Sequence, residues 1–158
     1  MTTPKPSLNL TTTPETVTWP ETHYVYIEKV GPFQNNAPQA WEELQRVIPA
    51  ICEHNNVVAY ISLYKVGPQI YRAGVGLDAT PKDLPAGLQY TKFSGGKYAR
   101  FSLTGPYTNL PEASGRVFDM VKDQKLPTRD DFNIENYVND PRTTPVSDLI
   151  TQILIPIR

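Results

Sequence analysis

The sequence has few of the residues that cross-link a protein or hold a metal ion. Its 158 residues include one cysteine, Cys52, and two histidines, His23 and His54. A single cysteine cannot form a disulfide within the chain, and this set falls short of the ligands of a zinc site. We therefore expect no metal and no other cofactor.

Excess charge of one sign and long apolar runs are also missing. Lys and Arg number 15 and Asp and Glu 16, for a net charge of −1, which gives no electrostatic basis for binding nucleic acid or an anionic membrane. No apolar run is long enough to cross a bilayer, and residues 1–20 lack the hydrophobic segment of a signal peptide. We expect a cytoplasmic protein.

What the chain does contain is a repeated motif. The segment YVYIEKVGPF at 24–33 is echoed by YARFSLTGPY at 98–107. Each copy predicts an alternating strand, a Gly-Pro-aromatic turn, an amphipathic helix and two more strands. Helices on one side of an antiparallel sheet predict an α+β fold, a tandem βαββ pseudo-repeat with a central ligand cleft at its pseudo-twofold seam.

The predicted boundaries follow from the same patterns. An extended Pro-rich segment, 1–21, precedes a single domain, 22–158, whose units are 22–77 and 97–158 around a linker at 78–96. Asn36 with Gln39, and Asn109 with Glu112, resemble capping boxes that start the two helices. The predicted strands are 22–30, 57–66, 70–77, 97–103, 133–138 and 147–156.

The alternation in each strand separates two sets of side chains. Val25 and Ile27, with Ala99, Phe101 and Leu103, form the aliphatic face that we expect beneath the helices. By the repeat, Tyr137 corresponds to Tyr64 and Glu135 to Ser62. On the opposite face we predict a shared, tyrosine-rich surface made of Tyr24, Tyr26, Glu28, Tyr60, Ser62, Tyr64, Tyr98, Arg100, Ser102, Asn133, Glu135 and Tyr137.

Tyrosines around one carboxylate are suited to a flat, lipophilic cation. Tyrosine rings attract cations, and a partly desolvated Glu135 needs a positive partner. In the alternative interpretation, Glu135 is an ordinary strand residue paired with Arg100, and the tyrosines reflect strand propensity.

Several segments resemble one known family. The turns VGPF and TGPY, the helix AWEELQRVI, the strand FNIENYVNDP and the ending LITQILIPI are similar to the GyrI-like domain, also called the bacterial transcription-activator effector-binding domain. The resemblance covers about 22–158. It implies a tandem βαββ fold with a central cleft, in which Glu135 faces cationic aromatic drugs.

The resemblance leaves three roles open for a stand-alone member. The first, which we prefer, is multidrug binding or sequestration without turnover, and the second is hydrolysis of cyclopropane-bearing genotoxic compounds by Glu135 with Tyr137 or Tyr64. Trp41 is a candidate aromatic wall in that site, although its helical spacing favours core packing. The third role is protein interaction, such as gyrase modulation, through the Pro-rich segment.

Two other partners are not expected. The residues before Tyr24 are too short and irregular for a helix-turn-helix, so we predict no direct DNA binding. The related SOUL haem-binding proteins share the tandem plan, but His23 and His54 do not point convincingly into the predicted cleft. We therefore do not expect haem.

Overall fold

The computed structural model describes residues 8–158, which form one sheet and two helices. The helices are α1 (Phe33–His54) and α2 (Leu110–Asp123), with short 3-10 turns at Tyr107–Asn109 and Val146–Asp148. The strands are β1 (Asn9–Leu10), β2 (Glu15–Trp19), β3 (Thr22–Val30), β4 (Val57–Lys65), β5 (Ile70–Leu77), β6 (Gln89–Phe93), β7 (Gly96–Thr104), β8 (Asn133–Tyr137) and β9 (Ile150–Pro156). Residues 1–7 of the predicted extended segment lie outside the described residues.

The sheet confirms the predicted α+β class and its antiparallel, repeated plan. Its strand order is β1-β7-β9-β8-β4-β5-β3-β6, with β2 also paired to β7, and every pairing among the described residues is antiparallel. The first unit contributes β3, β4 and β5, and the second contributes β7, β8 and β9. The two units therefore meet where β4 pairs with β8.

Three outer strands were not predicted by the sequence patterns. The predicted linker 78–96 contains β6, which pairs with β3. The predicted extended segment contains β1 and β2, which pair with β7. All three lie beside the first strand of a unit, so they extend the pseudo-twofold arrangement.

The helix starts differ from the predicted capping boxes. The helix α1 begins at Phe33, so Asn36 lies inside it, and Asn109 precedes α2 without a side-chain capping bond in the described chain. A turn with a glycine precedes each helix instead. Gly31 and Gly105 have φ values of +129° and +134°, in a region that favours glycine because it has no Cβ.

Both helices cover the same face of the sheet. Leu44 of α1 packs in a cluster with Val25 and Val75, and Val117 of α2 packs with Phe101 and Ile153. Val25 and Phe101 belong to the aliphatic face that the sequence predicts beneath the helices. Burial of such side chains contributes about 1.5–3 kcal/mol each.

The opposite face is buried as well, around Tyr24. This side chain is 0% exposed, and its hydroxyl donates to the Ile61 carbonyl at 2.9 Å. Its ring occupies the space above Gly74, where a Cβ would lie 2.4 Å from the Tyr24 Cζ. A glycine in the middle of β5 is therefore required for the tyrosine to pack flat on the sheet.

Candidate binding site at the repeat seam

The centre of the seam is the pair Ser62 and Glu135. They are direct partners between β4 and β8, and they are also equivalent positions of the repeat, since 135 − 62 = 73 and Tyr137 follows Tyr64 by the same interval. A rotation that exchanges the two units therefore exchanges Ser62 with Glu135. The pseudo-twofold axis passes between them.

A chain of hydrogen bonds leads to the Glu135 carboxylate. The Tyr137 hydroxyl donates to Glu135 Oε1 at 3.1 Å and lies 2.8 Å from Ser62 Oγ, which lies 2.7 Å from the Tyr71 hydroxyl. Trp41 Nε1 donates to Tyr71 at 2.8 Å and to Ser62 at 3.1 Å. Because the Tyr137 proton is used on Glu135, Ser62 must donate to Tyr137 and Tyr71 must donate to Ser62. Every hydrogen bond in this series therefore points toward the Glu135 carboxylate.

Glu135 is 8% exposed and forms no ion pair with any residue in 8–158. Burial raises the pKa of Glu135 to about 7, although the hydrogen bond from Tyr137 acts to lower it. Arg100, the alternative partner, is bonded to Glu15 at 2.9 Å. The ion pair between Glu135 and Arg100 that the alternative interpretation requires is therefore not formed.

Aromatic rings from both units surround the chain of hydrogen bonds. Trp41 and Tyr107 meet the Tyr137 ring edge-on, with centroids 5.2 and 5.6 Å away. Phe33 meets the rings of Tyr64 and Tyr71 at 5.9 and 5.7 Å. Trp41 therefore both packs against the sheet, as its helical spacing predicted, and reaches the site.

Sequence reasoning missed Phe33, Tyr71 and Tyr107 as site residues. Phe33 and Tyr107 are the aromatic residues of the two Gly-Pro-aromatic turns. The motif indicates the repeat, and its aromatic position is also the sequence signal that a ring approaches the seam from each unit.

The prediction of one shared tyrosine surface was wrong. Cross-strand partners share a face, and the register carries Tyr26 to Gly74 and then to Ile61, whereas Ser62 lies on the helix face. Tyr60 and Tyr64 do share the face of Glu135 and Tyr137, with Tyr60 near the exposed end of β4. The predicted residues that lie on the other side of the sheet are Tyr24, Tyr26, Glu28, Tyr98, Arg100 and Ser102.

Comparison with known proteins identifies the family. The model of the GyrI-like small molecule binding domain matches residues 12–158. The chain belongs to this family. No curated protein matches it.

Solved structures share the fold of this GyrI-like domain at low sequence identity. The C-terminal domain of EcmrR is 14% identical, with a TM-score of 0.74 over 92% of this chain and 96% of that one. SAV2435 bound to tetraphenylphosphonium is 14% identical, with a TM-score of 0.69 over 92% and 93%. A hydrolase from Listeria innocua is 12% identical, with a TM-score of 0.60 over 93% and 92%. These likenesses concern the fold alone.

The Glu135 side chain of this GyrI-like domain is buried. Two surface depressions of about 380 and 290 Å³ are not lined by it: the larger lies beside Lys65, Arg129 and Asn133, and the smaller beside Leu8 and Arg116. A bulky molecule therefore reaches the carboxylate only if rings such as Trp41 and Tyr137 move.

Two kinds of site are not found in the described part of this GyrI-like domain. Residues 8–158 contain no cluster of three His, Cys, Asp or Glu side chains placed to hold a metal ion. Neither α1 nor α2 is long and apolar enough to span a membrane.

Proposed function

We propose that this GyrI-like domain binds bulky hydrophobic cations, aromatic ones above all, at the seam between its two units. The observation that carries the proposal is Glu135, a buried carboxyl group without a cationic partner among residues 8–158. A buried charge that lacks a partner is costly, and a cationic ligand supplies that partner.

The surrounding rings favour an aromatic cation over a small inorganic one. Trp41, Tyr107 and Tyr137 offer ring faces and edges near the carboxylate. Cation–π attraction contributes about 0.5–2 kcal/mol per suitable contact. Ring-lined sites with movable side chains also accept ligands of several shapes, which fits a role in multidrug binding or sequestration.

Structural relatives also support a cationic aromatic ligand. SAV2435, which shares the fold, binds tetraphenylphosphonium, a bulky aromatic cation. The family is described as small-molecule binding, and the match spans residues 12–158. Transfer of the same ligand class to this chain is supported by its own Glu135, which supplies the negative charge such a ligand needs.

Titration calorimetry with tetraphenylphosphonium tests the proposal. At about pH 8 we expect Glu135→Gln to weaken binding about 10- to 100-fold, because glutamine keeps the hydrogen bond from Tyr137 but has no charge. Glu53→Gln, on the exposed side of α1, is the matched control and should bind as wild type. Triphenylphosphine oxide, a neutral analogue, should bind the wild type and Glu135→Gln equally. Unchanged phosphonium affinity in Glu135→Gln would overturn the proposal.

A second candidate is hydrolysis of a cyclopropane-bearing electrophile. It is favoured by Glu135, whose pKa of about 7 suits proton transfer near neutral pH, and by the Tyr137 hydroxyl 3.1 Å away. In this reaction Glu135 removes a proton from water, and the water oxygen bonds to a ring carbon. The strained C–C bond breaks, its electron pair moves onto the conjugated system attached to the ring, and Tyr137 protonates that system. The proton held by Glu135 then returns to Tyr137 along their hydrogen bond.

Mass spectrometry distinguishes the two candidates. Incubation with a cyclopropane-containing alkylating compound should yield the water adduct in more than one equivalent per protein, and Glu135→Gln should abolish it. Binding without the adduct would leave the first function alone. The protein-contact role expected for the Pro-rich segment stays a prediction.

A further inference from the structure

The Tyr64 hydroxyl is buried without a hydrogen-bond partner among residues 8–158. The side chain is 5% exposed. Buried hydroxyl groups are almost always bonded, because an unbonded one forfeits its contacts with water. Its repeat equivalent, Tyr137, is bonded to both Glu135 and Ser62. The two equivalent tyrosines therefore differ in whether the hydroxyl has a hydrogen-bond partner.

The broken repeat explains that difference. Tyr137 donates to the carboxylate two positions before it in β8. In β4, the position two before Tyr64 is Ser62, whose shorter side chain is engaged with Tyr71 and Tyr137. No carboxylate is therefore available to accept the proton of Tyr64.

Tyr64 lies in the same seam as Glu135. Both side chains are on the helix face of adjacent strands, and the Tyr64 ring packs against Phe33 and Tyr71. Burial raises the pKa of Tyr64 well above 10, and the charge of Glu135 raises it further. Ser114 of α2 is close enough to lower this pKa, but it forms no hydrogen bond of normal geometry with the Tyr64 hydroxyl. The Tyr64 hydroxyl thus stays protonated, and donating a hydrogen bond to an acceptor would stabilise it.

We propose that the Tyr64 hydroxyl donates a hydrogen bond to the ligand, so that the site selects cations that also carry an acceptor such as a carbonyl oxygen. This inference rests on the proposed function. Glu135 recognises the positive charge, and Tyr64 recognises a polar group placed away from that charge. The preferred ligand is then a hydrophobic cation with an acceptor, rather than any hydrophobic cation.

Two phosphonium cations of matched shape test the inference. We choose para-acetylbenzyl-triphenylphosphonium and para-isopropylbenzyl-triphenylphosphonium, in which a methyl group replaces the carbonyl oxygen. In the wild type we expect the acetyl compound to bind about 3- to 10-fold more tightly. In Tyr64→Phe the two affinities should become equal, chiefly through weaker binding of the acetyl compound.

Tyr90→Phe is the matched control for removal of a tyrosine hydroxyl. The Tyr90 hydroxyl bonds to His23 Nδ1 at an exposed edge of the sheet, so this variant should keep the wild-type preference. Equal affinities in the wild type, or a preference that survives in Tyr64→Phe, would overturn the inference. The proposed function fails separately, if Glu135→Gln binds either cation as tightly as the wild type.

Thermal unfolding without ligand provides a second readout. An unbonded hydroxyl contributes nothing to the folded state, so Tyr64→Phe should have a Tm equal to or above that of the wild type. Tyr137→Phe, which loses two hydrogen bonds, should have a lower Tm. A Tm loss in Tyr64→Phe as large as that in Tyr137→Phe would mean that water or Ser114 already satisfies the hydroxyl, and would also overturn the inference.

Discussion

Ser62 and Glu135 face each other across β4 and β8 on the pseudo-twofold axis, and only Glu135 is ionisable. Perfect symmetry would place two identical side chains there, about 5 Å apart. Two carboxylates at that distance would repel each other, and two serines would provide no charge. The difference between the copies therefore gives the axis a single carboxyl group, which accepts a hydrogen bond from Tyr137 of its own unit, while Ser62 of the other unit bonds to that tyrosine.

Ser62→Ala should weaken both folding and binding. The substitution removes the link between Tyr71 and Tyr137 and leaves buried hydroxyl groups unpaired, at a cost of about 1–3 kcal/mol in the free energy of unfolding. Urea denaturation measures this loss, and Ser94→Ala in an exposed turn is the control. A variant as stable as the control would show that the chain of hydrogen bonds contributes little.

Cation affinity should depend on pH through Glu135. Because the pKa of Glu135 is about 7, the carboxyl group is largely neutral in acid, and a cation must displace its proton. Below about pH 7 we expect the affinity for tetraphenylphosphonium to fall by up to about tenfold per pH unit until it reaches that of Glu135→Gln, and above pH 7 to level off. Calorimetry over this range measures the slope. Glu135→Gln should show no slope, and a flat wild-type profile would contradict the assignment.

The free energy of unfolding should also depend on pH. Because folding raises the pKa of Glu135, stability should fall as the pH rises. The folded protein holds the Glu135 proton to about pH 7, whereas the unfolded chain releases it near pH 4.5. The contribution of this group is therefore fully present below about pH 4.5 and is lost as the pH rises through 7, a change on the order of 3 kcal/mol.

Glu135→Gln removes this dependence. At about pH 4 the variant and the wild type should unfold at similar urea concentrations, and at about pH 8 the variant should be the more stable. Parallel denaturation curves at both pH values test this. A wild type that gains stability relative to Glu135→Gln as the pH rises would show that the carboxylate is stabilised in the fold.

Two glycine substitutions should have opposite effects. Gly74→Ala forces a Cβ into the Tyr24 ring, which a hydrogen bond to the Ile61 carbonyl holds in place, and should destabilise the protein by about 1–3 kcal/mol or more. Gly115→Ala lies on the exposed side of α2 with open space around it and should stabilise it by about 0.5–1 kcal/mol. Thermal unfolding of both variants measures the difference, and a tolerated Gly74→Ala would contradict the close packing of Tyr24.

Local patterns predicted the central strands well. The alternation in THYVYIEKV predicted 22–30, which are the bounds of β3, and the prediction of 70–77 matches β5. A Gly-Pro turn marks one boundary of each strand, because β3 ends at Gly31-Pro32 and β5 follows Gly67-Pro68, so short-range information is sufficient. The strand β6, in contrast, is QYTKF within a Pro- and Gly-rich segment, and it is a strand because the edge of β3 offers it partners.

The faces of the strands were harder to predict because both sides of the sheet are buried. In β4 the aliphatic residues Ile61 and Leu63 do not face the helices, but pack with Tyr24 and Tyr98 on the other side. The rule that aliphatic residues lie beneath helices was right for β3 and β7, but it misplaced the tyrosines of β4 and β8, which lie on the helix face. Only the register, which depends on long-range pairing, distinguishes the two faces.

The packing of Tyr24 over Gly74 determines the path that a ligand can take. With the far side of the sheet sealed by this ring and by Tyr98, the carboxylate of Glu135 is accessible only from the helix side. Under the proposed function, ligands would therefore enter and leave from the helix side, and we expect the rates of both steps to depend on how often the rings of Trp41, Tyr107 and Tyr137 move.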